Sequence, residues 1–218
     1  MLIQKNILPD HSLLAFWKME ESEEQLRTLC DLSDEDLHII DINKSNSRHI
    51  ELLSVRALLK AVGIHQTIHY DNRRPYLDEG YISISHSPDI AAIIYNPDHP
   101  VAIDIEHIDP RIQIVAKRMF SDEELAAANG DLEKLTILWN CKECVFKLAN
   151  DNGIDFRKMI EVDLSYDFSF QDNSSKENPI VHNPIIHCTL KKSGSTKHFS
   201  FSAMKFEDNM VAWGREKG

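Results

Sequence analysis

The sequence is poor in glycine and has no glycine-rich phosphate-binding loop. Only seven glycines occur among 218 residues, and neither a Walker loop nor a G-x-G-x-x-G pattern is present. Such loops hold phosphates through closely spaced backbone amides, so their absence excludes a nucleotide cradle of that type. A phosphorylated ligand of this protein would have to be bound by side chains.

The sequence also lacks the usual features of secreted, membrane-spanning and nucleic-acid-binding proteins. Four cysteines are too few for a disulfide framework in a chain of this length. No apolar run approaches the ~20 residues that span a bilayer, and the first residues lack the apolar core of a signal peptide. The net charge of -11 is opposite in sign to that of most nucleic-acid binders. We therefore expect a cytoplasmic protein with no membrane or nucleic-acid partner.

The order of the predicted elements indicates an α+β protein of two similar halves, residues 1–100 and 101–218. In each half a serine-led capping box precedes a long helix, and an alternating hairpin follows it. Two copies predict a pseudo-twofold pair rather than a solenoid. The polar stretch 171–179 is predicted to be a loop. The predicted strands and helices lie at 13–19, 22–30, 34 onward, 48–62, 81–85, 90–95, 101–106, 132–148, 199–203 and 209–213.

Two acidic residues lie on the apolar strand at 101–106. The period of two places Asp104 and Glu106 on one face, with Ile103 and Ile105 on the other. Carboxylates this close repel each other unless a cation or a shared proton relieves them. They are either metal ligands or surface residues at the end of a strand.

The helix at 132–148 carries a second charged pair. Glu143 and Lys147 are four residues apart and so share a helix face. Taken alone, they are also compatible with a solvent-exposed ion pair. Together with Asp104 and Glu106, they would suit a hard divalent cation bound to a phosphate ester.

Other polar residues allow several interpretations. His86 lies at a hairpin turn and is either an ordinary turn residue or a donor to a phosphate. Lys142 and Lys147 are either solvated or available to a phosphorylated ligand. Cys141-x-x-Cys144 would suit redox or zinc chemistry, but the sequence has no second pair, and the motif lies inside a helix.

Six short motifs, in a fixed order from residue 48 to beyond residue 147, together resemble the 4′-phosphopantetheinyl transferase family. The resemblance is to its larger, monomeric, surfactin-synthetase-activating subtype. The motifs are Arg48…Arg56, Arg74-Pro75-Tyr76-Leu77, Ile82-Ser83-Ile84-Ser85-His86-Ser87, Val101-Ala102-Ile103-Asp104-Ile105-Glu106, Ala116-Lys117-Arg118-Met119-Phe120 and Trp139-x-x-Lys142-Glu143-x-x-x-Lys147. The family usually has glycine at the positions of Ala102 and Asn150, and neither departure removes a proposed ligand.

This resemblance implies a fold of two α+β halves and a transferase of the holo-[acyl-carrier-protein] synthase type. Such an enzyme moves the 4′-phosphopantetheine group of coenzyme A to a serine of an apo acyl or peptidyl carrier protein and releases 3′,5′-ADP. It also implies a Mg²⁺ ion as cofactor. The carrier would dock on the segment 119–138. A metal-dependent phosphohydrolase and a non-catalytic module that binds coenzyme A or a carrier remain as alternatives.

The resemblance also assigns a role to individual residues. The expected metal ligands are Asp104, Glu106 and Glu143. Glu143 is the expected general base for the incoming serine. The remaining expected contacts are to coenzyme A, where Lys147 and His86 hold phosphate oxygens, Arg48 and Arg74 bind the phosphates of the adenosine end, and Ser85 and Asp104 complete the set. These residues come from both halves, so the expected site lies at the seam between them.

Overall fold

The computed structural model describes residues 1–163, 165 and 183–217. The chain divides into two compact units, Met1–Pro100 and Val101–Gly218. Each unit packs helices on an antiparallel sheet, which confirms the predicted α+β class. The predicted loop at 171–179 lies outside the described residues. Within the described part of the chain, no helix is long and apolar enough to cross a membrane.

The first unit is built on a four-stranded sheet in the order β1-β2-β6-β5, in which all neighbours are antiparallel. A short ribbon of β3 and β4 lies outside this sheet. The elements are β1 (Leu2–Ile7), β2 (Leu13–Lys18), α1 (Glu23–Leu29), α2 (Asp34–Ile42), α3 (Asn46–Val62), β3 (His69–Asp71), β4 (Arg74–Tyr76), β5 (Tyr81–His86) and β6 (Ile90–Asn96).

Local signals explain where the helices of the first unit begin and end. Ser22 and Ser33 each cap a helix in a capping box, as the sequence predicts for Ser33. Gly63 ends α3 in the left-handed conformation, with a φ of 88°. The buried face of α3, which includes Leu53 and Leu58, packs in one core with residues of β2 and β6.

The second unit is built on a five-stranded sheet in the order β7-β11-β10-β9-β8, again antiparallel throughout. The long helix α6 packs in one core with this sheet. The elements are β7 (Ala102–His107), α4 (Ile112–Met119), α5 (Asp122–Ala128), α6 (Leu132–Ala149), α7 (Phe156–Met159), β8 (Ile160–Val162), β9 (Ile185–Lys192), β10 (Ser195–Phe206) and β11 (Asn209–Glu216).

The backbone accommodates the two residues that replace the glycines usual in the resembled family. Ala102 is not among the residues with a positive φ, so its methyl group causes no backbone strain. Asn150 takes the left-handed conformation at the end of α6, with a φ of 51°. Asn is one of the few residues besides glycine that adopt this conformation readily.

The two units share a strand topology. In the first unit, β2 pairs with β6, the second strand of the β5–β6 hairpin. In the second unit, β7 pairs in the same way with β11 of the β10–β11 hairpin. The order strand, short helices, long helix and hairpin therefore occurs twice. The twofold relation between the units stays a prediction.

Candidate functional site

The predicted acidic residues of the second unit lie on β7 and on α6, which packs against it. Asn140 helps to fasten the helix to the sheet. Its Nδ2 donates to the carbonyl oxygen of Met210 on β11, at 2.6 Å, and to that of Asp104 on β7, at 3.3 Å. The helix therefore lies along the two strands at the level of Asp104.

Lys147 is held against β7 by two hydrogen bonds. Its Nζ donates to Oδ1 of Asp104 at 2.8 Å and to the carbonyl oxygen of Ile103 at 2.7 Å. Burial opposes the charge of Lys147, but the combined attraction of Asp104 and neighbouring acidic groups outweighs it and raises the pKa of the ammonium group. Asp104 is itself buried, at 4% exposure, so it is not a surface residue at the end of a strand. Lys147 is thus bound to Asp104 and is not a solvated cation.

The other two carboxyl groups are acids of unusually high pKa. Burial, followed by the charge of Asp104, raises the pKa of Glu106 to about 7, although the indole nitrogen of Trp139 donates to it at 3.3 Å. Burial and the charge of Asp104 likewise raise the pKa of Glu143 to about 7, with a further contribution from Glu106. The three carboxyl groups and Lys147 therefore form one electrostatically coupled group, which is called the acidic group below.

The acidic group has the donor chemistry of a site for a hard divalent cation. In residues 1–163, 165 and 183–217, no three His, Cys, Asp or Glu side chains are already arranged to hold a metal ion. The available donors are nevertheless all carboxylate oxygens, which Mg²⁺ prefers. A cation would also offset the mutual repulsion that raises the pKa of Glu106 and Glu143. The ligand set Asp104, Glu106 and Glu143 stays a prediction.

A second polar group lies in the first unit, around an open cleft. Nη1 of Arg48 donates to Oε2 of Glu51 at 2.7 Å and lies 3.1 Å from Nε2 of His86. The same His86 nitrogen is 3.2 Å from Oε2 of Glu51. All three residues line the cleft, so the structure brings Arg48 and His86 together as expected of a shared ligand site.

The remaining predicted residues of the first unit are sequence neighbours of residues that line this cleft. Ser85 is half-buried on β5, next to His86. Arg74 is half-buried at the start of β4, whereas the neighbouring Arg73 lines the cleft. Glu51 was not predicted as a cleft residue. Glu51 follows Arg48 by three residues on α3, and that spacing is the signal that predicts such a pair.

Two other interpretations from the sequence are decided by burial. Lys142 is not a solvated or ligand-binding cation, because its side chain is fully buried in an ion pair with Glu124. Cys141 and Cys144 are free and buried, and burial raises the pKa of both thiols well above the ordinary range. They pack in the core of the second unit, where a thiolate is strongly disfavoured.

Most of the second unit is similar to a known protein family. Residues 100–203 match the model of the 4′-phosphopantetheinyl transferase superfamily. No curated protein matches the chain significantly. The matched range contains all four residues of the acidic group. The chain is therefore similar to this superfamily over residues 100–203, and the mixed α+β fold is consistent with that similarity.

Proposed function

We propose that this protein transfers the 4′-phosphopantetheine group of coenzyme A to a serine hydroxyl of an acyl or peptidyl carrier protein, with Mg²⁺ as cofactor. The main support is the coincidence of the superfamily match with the acidic group. The reaction forms a bond from the serine oxygen to the β-phosphorus. It breaks the bond from that phosphorus to the bridging oxygen and releases 3′,5′-ADP.

Glu143 is the general base of this proposal. Coordination to Mg²⁺ would keep Glu143 ionised at the pH of a cell, and the carboxylate need hold the serine proton only transiently. As a carboxylate it would accept the serine proton, either directly or through a water. Lys147 carries a firmly held positive charge and would bind a phosphate oxygen.

Mg²⁺ held by Asp104, Glu106 and Glu143 would neutralise charge on the pyrophosphate as the bond to the leaving group breaks. Glu106 is oriented by Trp139, which donates to Oε1. Asp104 is oriented by Lys147, which donates to Oδ1. Each of these two ligands therefore has one oxygen directed by a neighbour on α6.

In the first unit, Arg48 and His86 would bind phosphate oxygens of coenzyme A, together with Arg74 and Ser85. Arg48 is directed into the cleft by Glu51, and His86 lies against the same two side chains. A guanidinium and an imidazole in one cleft are suitable donors for a phosphate. The adenosine end of coenzyme A carries a phosphate monoester.

The carrier would dock on the segment 119–138, as expected from the sequence, and on the preceding helix α4. Ile114 on α4 is 62% exposed. Lys117 and Arg118 in the last turn of the same helix are also exposed. An apolar residue with basic neighbours would suit an acidic partner even though the whole chain has a net charge of -11. We further propose that the enzyme is a cytoplasmic monomer of the surfactin-synthetase-activating subtype.

The proposed transfer predicts a mass change in the carrier. With coenzyme A and Mg²⁺, an apo carrier should gain the mass of one phosphopantetheine on intact-mass spectrometry, and 3′,5′-ADP should appear in equal amount. Removal of Mg²⁺ with EDTA should abolish the gain, and added Mg²⁺ should restore it. A panel of fatty-acid, polyketide and peptide synthetase carriers would identify the substrate.

Two controls accompany this assay. A carrier with alanine at the modified serine should not gain mass. Release of phosphopantetheine products from coenzyme A without any carrier would instead support a phosphohydrolase. No mass gain with any carrier, combined with tight coenzyme A binding, would support a non-catalytic binding module.

The acidic group also predicts a pH-dependent stabilisation by Mg²⁺. Without a cation, Glu106 and Glu143 hold protons up to a pH of about 7, whereas the unfolded carboxyls lose them near their ordinary pKa of 4.5. These two groups therefore lower the stability of the metal-free protein as pH rises from 4.5 to about 7. Mg²⁺ must displace the protons, so its binding should weaken as pH falls.

We expect Mg²⁺ to raise the Tm more at about pH 8 than at about pH 6. Differential scanning fluorimetry at constant ionic strength, with Na⁺ in place of Mg²⁺ as control, measures this difference. An equal Mg²⁺ effect at both pH values would contradict the assignment of Glu106 and Glu143 as ligands.

A further inference from the structure

The ion pair of Lys142 is the most completely buried charged contact of the described second unit. Its Nζ lies 2.8 Å from Oε2 of Glu124, and the two side chains are 0% and 4% exposed. The same nitrogen donates to the carbonyl oxygens of Phe156 and Ile160, each at 2.8 Å. An ammonium group has three protons, and here each proton has an acceptor.

Glu124 is held as firmly as Lys142. It is the third residue of α5, and its Oε2 accepts from the backbone N–H of Ser121 at 2.8 Å in the capping box. Its Oε1 accepts from the N–H of Val162 at 3.3 Å. The pair thus connects α6 to the beginning of α5, to α7 and to β8. Such a contact withstands burial only because every charge is hydrogen-bonded.

Lys142 directly precedes Glu143 on α6. Successive residues of an α-helix project about 100° apart, so a fixed Lys142 also fixes the direction of Glu143. At a side-chain radius of about 6 Å, a helix rotation of about 10° would move the Glu143 carboxylate by about 1 Å. A displacement of that size can cost a reaction about 100-fold in rate.

We infer that Lys142 and Glu124 are positioning residues for the reaction. Their ion pair sets the rotation of α6 about its axis, and it thereby directs Glu143 and Lys147 towards Asp104 on β7. The kinetic consequence rests on the proposed function. The structural consequence does not, because the direction of α6 can be measured without the reaction.

The first unit contains a corresponding buried ion pair, but the residue that follows its basic member is not acidic. Nε of Arg56 on α3 lies 2.5 Å from Oδ1 of Asp36, and the side chains are 6% and 5% exposed. Asp36 is the third residue of α2 and belongs to a capping box, as Glu124 does in α5. Arg56 is followed by Ala57, whereas Lys142 is followed by Glu143. The Asp36 pair is therefore a natural control for the Glu124 pair.

The experiment compares Glu124→Gln with Asp36→Asn in the full chain. Both substitutions keep the size of the side chain, and both leave a buried cation without its charged partner, so both should lower the Tm. In Glu124→Gln, we expect kcat per folded molecule to fall about 10- to 100-fold and the Kd for Mg²⁺ to rise about tenfold. The KM for coenzyme A should rise by a smaller factor than kcat falls, because Lys147 shifts together with Glu143 whereas Arg48 and His86 do not. Asp36→Asn should keep kcat and the Kd for Mg²⁺ within about twofold of wild type.

The outcomes separate positioning from plain stabilisation. If Glu124→Gln and Asp36→Asn have equal kcat and equal Mg²⁺ affinity, the ion pair stabilises only the fold and the inference is wrong. If Glu124→Gln does not fold, the double variant Glu124→Met/Lys142→Met replaces the charges by apolar side chains, which buried ion pairs often tolerate. Wild-type kcat and Mg²⁺ affinity in that double variant would overturn the inference.

A third readout needs neither transfer nor metal. Trp139 on α6 donates through its indole N–H to Glu106 on β7. The NMR signal of this indole N–H therefore reports the rotation of the helix. In ¹⁵N-labelled protein, the signal should shift in Glu124→Gln and stay in place in Asp36→Asn. If wild type transfers nothing, the proposed function fails, but this signal still decides the inference. An unchanged Trp139 signal in Glu124→Gln would reject it.

Discussion

Substitution of Glu143 by glutamine should reduce carrier modification by about 1,000-fold or more. Glutamine has nearly the same shape as glutamate, but it cannot accept the serine proton, and a general base is worth about 10²- to 10⁴-fold. It is also a weaker ligand for Mg²⁺ than a carboxylate. Quantitative mass spectrometry of the carrier at saturating coenzyme A measures the loss in kcat.

The fold should tolerate this change. The charge of Glu143 is disfavoured by its burial and by Asp104, so its neutralisation removes a repulsion and should leave the Tm unchanged or raised in the absence of Mg²⁺. Glu161→Gln on β8 is the control. Glu161 forms an exposed ion pair with Lys191 and belongs neither to the acidic group nor to the proposed docking segment, so this change should leave kcat unchanged. Full activity in Glu143→Gln would exclude Glu143 as the base.

Substitution of Asp104 by asparagine should reduce transfer by about 100- to 1,000-fold and should also destabilise the second unit. The variant loses a proposed metal ligand, and removal of second-shell partners alone often costs about 10- to 100-fold. It also leaves the ammonium group of Lys147 without its charged partner. Breaking a buried ion pair in this way typically costs about 3–5 kcal/mol, and the partial exposure of Lys147 places the expected loss at or below the lower limit.

Two measurements test the Asp104 prediction. Urea unfolding gives the loss of stability, with Glu161→Gln as control, because Glu161 forms an exposed ion pair with Lys191 that should contribute less than about 1 kcal/mol. The charge of Asp104 raises the pKa of both Glu106 and Glu143. Any Mg²⁺ stabilisation that remains in Asp104→Asn should therefore extend to lower pH than in wild type. Wild-type transfer by this variant would contradict the role of Asp104.

Local sequence signals were sufficient for much of the fold. The capping boxes at Ser33 and Ser121, the left-handed stop at Gly63 and the alternation of β5 all act within a few residues of the chain. Seven described elements were not predicted, and two of them are the three-residue strands β3 and β4. β1 is an edge strand of mostly exposed residues, and α4, α7 and β8 are short. β9 does alternate buried and exposed residues, but it follows a long polar stretch that obscured the pattern.

The acidic group was predictable for the same reason. Asp104 and Glu106 share a face by the period of the strand, and Glu143 and Lys147 by the period of the helix. By contrast, the partners of Lys142 come from α5, α7 and β8, and their approach depends on the packing of the whole unit. Sequence spacing carries no information about such a contact. The contact between Arg48 on α3 and His86 on β5 is equally distant along the chain.

The matching ion pairs of the two units have an evolutionary consequence. In both units, the acid of a capping box reaches the long helix that follows it and binds a basic residue there. This correspondence, together with the shared strand order, would be the expected result of gene duplication followed by divergence. The arrangement that holds the long helix would then be older than the chemistry. Only in the second unit does an acidic residue directly follow the basic one, so only there would the same arrangement be available to orient a reacting group.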